Sequence, residues 1–324
     1  MVYKAINNDT IWKDTKDNEI LAQGGDVLKV GDIYYWFGAG FGSGSDYEFY
    51  NIKCYSSLNL INWKFENNVL SRQPSGSLSK EHWIGRPSVI YNSITKNYVM
   101  IFEWNSFGVA RNRVAFAQCS TICGVYNWVG SSIAEGRSFG DMAVYKDTDE
   151  NAYLLTVMDE GIDLEDGKEV NYSLAIFKLQ ADYCSLKDKI FEGFEMSKRE
   201  ATYIIKKEGI YYWFSSDMRG WESSETKYST AVNLAGPWSA LKPVANFPNT
   251  DNSYNSQHDF IITVQGSDTT SYIYCGDRYS NFHGTGTGRY MWTPLTFIGG
   301  EPEIHWFPSW NMDAATGIWT ESNA

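Results

Sequence analysis

Two acidic residues stand at positions where a carboxyl could do proton-transfer chemistry. Glu200 lies between Arg199 and the apolar run ATYII, and Asp141 immediately precedes a second apolar run, MAVY. Partial burial at the edge of such a strand raises a carboxyl's pKa, and a neighbouring carboxylate raises it further, so the group stays protonated near neutrality. Arg199 acts in the opposite direction if its guanidinium faces the carboxyl. A protonated carboxyl within reach of a leaving oxygen, with water delivered to the opposite face of a sugar ring, is what glycoside hydrolysis requires. Glu200 is the candidate proton donor and Asp141 the neighbour that tunes it. The plainer alternative is that both acids cap strand ends.

The elements that would position them recur. A unit repeats about every 55–62 residues, the range of propeller blades, with starts near 24, 86, 141, 200 and 258. Each copy opens on a polar residue or glycine, runs through a short apolar strand, and turns at KVGD, NSITKN, KDTDEN, KKEG or QGSDTT. It then returns through an aromatic strand, a β-hairpin signature. Third and fourth strands follow, and no long segment has helical apolar spacing. The expected fold is all-β: a five-bladed β-propeller with four-stranded antiparallel blades, one domain over 1–324. An N-terminal arm (1–20) and a C-terminal tail (300–324) are expected to pack on it. Innermost strands of radial blades line one channel, so Gln23, Arg86, Asp141, Glu200 and Gln257 should converge at its mouth.

Composition narrows the partners. The 324 residues carry a net charge of −12, which disfavours nucleic acid and anionic membranes. No apolar run reaches 18 residues, so no membrane span is expected. Aromatic residues make up 16%, fitting either sugar-stacking faces or half-buried strands. Trp83, Trp104 and Trp221, close to inner strands, are candidate sugar platforms or core residues. Residues 1–26 lack a signal-peptide pattern. The compartment is secreted or periplasmic if a leader was removed, otherwise cytoplasmic. The five cysteines lack zinc-site spacing; Cys119 and Cys123 could bridge in an oxidising compartment, although buried free thiols are the simpler expectation. Asp147–Glu150 reads as a hairpin tip rather than a calcium loop, and the Gly284–Gly288 segment as a loop at the site rim. No cofactor is expected, a channel calcium ion is not predicted, and the partner is an oligo- or polysaccharide bound by a monomer.

The blade starts GGDVLKVGDIYYWFG, RPSVIYN, GDMAVYKD, REATYIIKKEGIYYWF and SQHDF, with CGDRY and GRYMWTPLTF after them, resemble glycoside hydrolase family 43, in particular its exo-β-1,3-galactanase branch. The likeness spans roughly residues 20 to 298. It implies an inverting hydrolase with Glu200 as catalytic acid, Asp141 as its modulator, and Gln257 replacing a carboxylate base. Asp277, Arg278, Arg289, Tyr290 and Trp292 match the pattern facing the site in the last blade. Two departures stand out. The family's usual first-blade Asp is replaced by Gln23-Gly24-Gly25, with Asp26 one residue deeper, a loss the galactanase branch shares. That branch also commonly has Glu before the Arg-Pro of the second blade, where this sequence has Gly85. Asp26, Glu48 or Glu103 are the carboxyls that could compensate.

The leading expectation is thus an exo-acting glycosidase of β-1,3-galactan or arabinogalactan side chains. An α-L-arabinofuranosidase or β-galactofuranosidase of the same fold is the alternative, and a non-catalytic carbohydrate-binding propeller is the alternative of another class.

Overall fold

The computed structural model describes residues 2–41, 49–106, 112–159, 171–244, 252–279 and 289–322. After β1 (Ile6–Asn7), strands follow in hairpin succession. The first four-stranded sheet holds β2 (Gln23–Val30), β3 (Ile33–Phe41), β4 (Phe49–Ser57) and β5 (Lys64–Ser71). The second holds β6 (His82–Asn92), β7 (Asn97–Ser106), β8 (Arg113–Cys119) and β9 (Asn127–Ser132). The third comprises β10 (Ser138–Lys146), β11 (Ala152–Asp159), β12 (Tyr172–Leu179) and β13 (Leu186–Gly193). In the fourth are β14 (Arg199–Lys207), β15 (Ile210–Asp217), β16 (Thr226–Ala231) and β17 (Lys242–Pro243). The fifth runs through β18 (Gln257–Gln265), β19 (Thr270–Asp277), β20 (Tyr290–Ile298) and β21 (Glu301–Ile304).

A further sheet corrects the expectation of five blades of four strands each. β22 (Ser309–Asp313) and β23 (Ile318–Glu321) form an antiparallel pair, and β1 joins it through Ile6 opposite Trp310. The described residues therefore form six antiparallel sheets, five of four strands and one of three. The repeat missed the last one because its strands come from opposite ends of the sequence and share no hairpin unit. Its side chains Ile6, Trp310 and Met312 are buried with Trp36 and Trp292 from the first and fifth sheets and with Trp63, which directly precedes β5.

The opening strands surround one axis: β2, β6, β10, β14 and β18 neighbour one another in turn, and β18 returns to β2. The β14–β15 turn shows why the hairpin signals were readable. Glu208 and Gly209 both have positive φ (51° and 84°), the two-residue geometry whose twist suits antiparallel strands. Much of the aromatic excess is core. Trp36 lies 5.3 Å from Trp63, 4.9 Å from Trp292 and 4.8 Å from Tyr290, ring centre to ring centre. All five cysteines are free thiols, and the sulfur beside Cys123 is that of Cys54, at 3.5 Å, rather than Cys119. Asp147–Glu150 occupies the β10–β11 hairpin tip, where Asp147 accepts from Tyr211.

Candidate active site

Every inner strand is irregular at the same height. Two residues oppose one between Gln23 and Asp26, Gly85 and Ser88, Phe139 and Met142, and Glu200 and Tyr203; a comparable shift falls between His258 and Phe260. Such a bulge re-aims side chains and locally ends pairing. Arg86 and Ala201 adopt left-handed φ (50° and 48°) inside their bulges, and Pro87, which has no N–H for the ladder, fits there. The bulges point Arg86, Asp141 and the strand-end groups Glu200 and Gln257 toward the axis.

These four side chains line one cavity of about 270 Å³, together with Glu103 from β7 and an aromatic group of Trp83, Trp221 and Tyr279; Gly24, Gly85 and Gly220 complete the wall. Arg86 is its electrostatic hub. Its guanidinium donates to Asp141 Oδ2 at 2.7 Å, to Asp259 Oδ1 at 2.5 Å and to Gln257 Oε1 at 3.2 Å. Asp141 Oδ2 also accepts the Ala201 backbone N–H at 3.0 Å, fixing it beside the bulge that carries Glu200. Gln257 Nε2 donates to Glu200 Oε1 at 3.1 Å and to the Gly220 carbonyl at 2.9 Å.

Burial, then the charge of Asp141, pushes the Glu200 carboxyl from its ordinary value of 4.5 to about 8, against the opposing pull of Arg86. Glu200 is thus held as an acid at neutral pH. Arg199 hydrogen-bonds to Asp217 and to the carbonyls of Ser215 and Glu225, and its charge pulls the Glu200 pKa down, after the larger effects of burial, Asp141 and Arg86. Behind the cavity, burial raises Asp259 to about 6 and Asp277 well above its usual range, and the two carboxyls are hydrogen-bonded to each other. They anchor the first sheet: Asp259 accepts from Gly25 N at 2.9 Å, and Asp277 from Gly24 N at 2.5 Å and Tyr279 Oη at 3.1 Å.

Several expected substrate contacts do not line the cavity. Gln23 is buried, donating to the Arg278 carbonyl and accepting from Arg289, which also pairs with Glu19 at 2.7 Å. Arg278 is taken up by Asp9 and the Tyr254 carbonyl, with its guanidinium over Trp306. Tyr290 is buried between the Ile20 carbonyl and Ala22 N–H, and Asp277 is the buried anchor just described. Trp104 alternates to the other side of β7, stacked on His82 and donating to the Ser77 carbonyl at 2.7 Å. Of the carboxyls considered as compensation for Gly85, Asp26 accepts from Tyr203 away from the cavity, Glu48 lies outside the described residues, and Glu103 is in the wall. The Gly284–Gly288 loop is likewise outside them.

His258 is buried, and desolvation lowers its pKa to about 3. The neutral ring donates through Nδ1 to the Ala201 carbonyl at 2.8 Å. Among the described residues no group of three His, Cys, Asp or Glu could hold a metal ion. Asp259 and Tyr279 were not singled out from the sequence. Their presence in SQHDF and CGDRY was the available signal, but only closure of the ring brings them to Arg86.

A carboxyl kept protonated beside a second acid, in a cavity with aromatic walls, suits proton donation to a sugar's leaving oxygen. No curated protein sequence matches the chain. In structure the chain is similar to an exo-β-1,3-galactanase from Clostridium thermocellum, with 33% identity, a TM-score of 0.86, and 98% of this chain and 68% of that one covered. It is also similar to an exo-β-1,3-galactanase from Phanerochaete chrysosporium with galactose (31% identity, TM-score 0.86, coverage 98% and 71%). The form of that fungal protein with β-1,3-galactotriose gives 30%, 0.85, and 99% and 71%. The model of glycosyl hydrolases family 43 matches residues 19–299, a span containing every residue that lines the cavity, and the chain is therefore a glycosidase belonging to that family.

Proposed function

We propose that this glycosidase is exo-acting and inverting, and removes non-reducing-end galactose from β-1,3-galactan or arabinogalactan-type polysaccharide. The observation that carries the reading is Glu200: a carboxyl raised to about 8, sharing a sugar-sized cavity with Asp141 and Arg86. The two galactanases at 31–33% identity supply the sugar and the linkage. Glu200 protonates the glycosidic oxygen as the bond to the anomeric carbon breaks; water attacks that carbon from the opposite face and gives its proton to solvent at the open mouth of the cavity, and Glu200 takes a proton back from solvent for the next turnover. Asp141 holds the proton on Glu200 and Arg86 holds Asp141. Trp83, Trp221 and Tyr279 offer ring faces to the sugar's C–H surface.

Gln257 is assigned a different part from the base implied by resemblance. In inverting enzymes acid and base stand roughly 6.5–9.5 Å apart to leave room for water, whereas Gln257 Nε2 is 3.1 Å from Glu200. Its amide, clamped at Oε1 by Arg86, orients the donor. Digestion of β-1,3-galactooligosaccharides followed by proton NMR tests the whole reading. Galactose released singly, first as the α-anomer, is expected; release of arabinose alone from arabinogalactan would replace it with the arabinofuranosidase reading.

A further inference from the structure

Gly85 and Glu103 are direct cross-strand partners, the last regular pair of β6 and β7 before the bulge that carries Arg86. Partners in register project to the same face of a sheet. At Gly85 that face has no side chain, and the room is occupied: a Cβ built there would lie 2.1 Å from the Trp83 ring. The indole thus lies across Gly85, two residues along the same face, and the Glu103 carboxyl stands beside it from the second strand. Both line the cavity. Glu103 is only 6% exposed, yet among the described residues its single hydrogen-bond partner is Asn112, whose Nδ2 donates to Oε1 at 3.1 Å. A buried carboxyl seldom stays so lightly satisfied, and here it faces the space the substrate enters.

We propose that Glu103 and Trp83 form the specificity-determining corner of the cavity, the Glu103 carboxyl binding one hydroxyl of the non-reducing-end sugar while the Trp83 indole, admitted by Gly85, covers the adjoining C–H face. The inference rests on the galactan reading for its first substrate, not for its logic. Burial, and next the charge of Asp141, raises the Glu103 carboxyl well above its usual range. A protonated carboxyl both donates and accepts, which matches a hydroxyl better than it matches water activation. Substitution at Gly85 acts through Trp83, because any side chain there displaces the ring.

The test compares kcat/KM of the wild type and Glu103→Ala on galactosyl-β-1,3-galactose and on analogues deoxygenated singly at C2, C3, C4 or C6 of the terminal sugar. Each analogue's intrinsic reactivity cancels in the wild-type/variant ratio. The expected ratio is roughly tenfold to a hundredfold for the parent and for three analogues, collapsing toward one for the analogue lacking the bound hydroxyl. Glu103→Gln, which keeps the shape and one acceptor, should show the same pattern with a smaller ratio, and it replaces the alanine variant if that variant does not fold. An equal ratio on all five substrates overturns the proposal, as does a uniform loss restored by added azide or formate, which would make Glu103 the group that activates water. If the wild type releases arabinofuranose and no galactose, the galactan reading fails. The same ratio on arabinofuranosides deoxygenated at C2, C3 or C5 then decides the part of Glu103.

Discussion

At the scale of single residues, the Glu200 proton is the quantity on which activity turns. Glu200→Ala should lower the rate by several orders of magnitude on a poor leaving group, and by far less on an activated aryl leaving group that needs little protonation. Steady-state kinetics on the two substrates checks this, and equal losses would remove the acid role. The rate profile should fall through an apparent pKa near 8, and Asp141→Asn should move that limb downward, because Asp141's charge is the second contributor after burial to the raised value. The sign for stability follows. The folded chain holds this proton up to about pH 8, while the unfolded chain releases it around 4.5, so the stabilisation present at low pH is lost as pH rises between those values. Glu200→Gln, which cannot ionise, should therefore gain in Tm over the wild type at pH 9 relative to pH 5. The pairing of Glu200 with Asp141 was readable from residue type and repeat position. Their common link through Arg86 was not, because a guanidinium's partners depend on three strands meeting.

Elements convert sequence order into that meeting, and the bulges do most of it. One extra residue in an inner strand turns alternate side chains from the sheet face toward the axis. The first-sheet bulge depends on Gly25, whose place admits no Cβ: one built there would lie 1.9 Å from the Phe37 carbonyl oxygen. Gly31, in the β2–β3 turn, has open space and a φ of +59°. Gly25→Ala should therefore cost about 3 kcal/mol or more, and Gly31→Ala about 1 kcal/mol, as read from denaturant midpoints. Strand existence and hairpin turns were legible because they follow local alternation and turn chemistry. The bulges were not, since a two-against-one register belongs to a pair of strands. Trp104 and Glu103, adjacent on β7, separate by simple alternation into a packed ring and a cavity wall, and the pairing of Glu103 with Gly85 set which of them faces the cavity.

On the scale of the whole molecule, closure holds the site together. The first and fifth sheets are joined by Gly24 to Asp277, Gly25 to Asp259 and Ala22 to Tyr290, and the three-stranded sheet covers their outer aromatics. Trp310 is fully buried there and donates to the Trp292 carbonyl at 2.9 Å. Trp310→Ala should cost about 3–5 kcal/mol while leaving kcat of the folded fraction nearly unchanged, measurable as a lower Tm with normal turnover at low temperature. The sequence alone determined an all-β chain of recurring hairpin units, with two acids at equivalent strand starts and a charge unsuited to nucleic acid. These properties are written in alternation, turn residues and composition, and each is local. The sixth sheet, the engagement of Arg199 by Asp217, the withdrawal of Gln23, Arg278, Arg289 and Tyr290 into structural contacts, and the arrival of Glu103 beside Trp83 were decided by tertiary structure. The sixth sheet and the withdrawn side chains depend on which distant strands become neighbours, settled by the closing of the ring, whereas Arg199 and Glu103 were placed by the register of their own hairpins, β14–β15 and β6–β7.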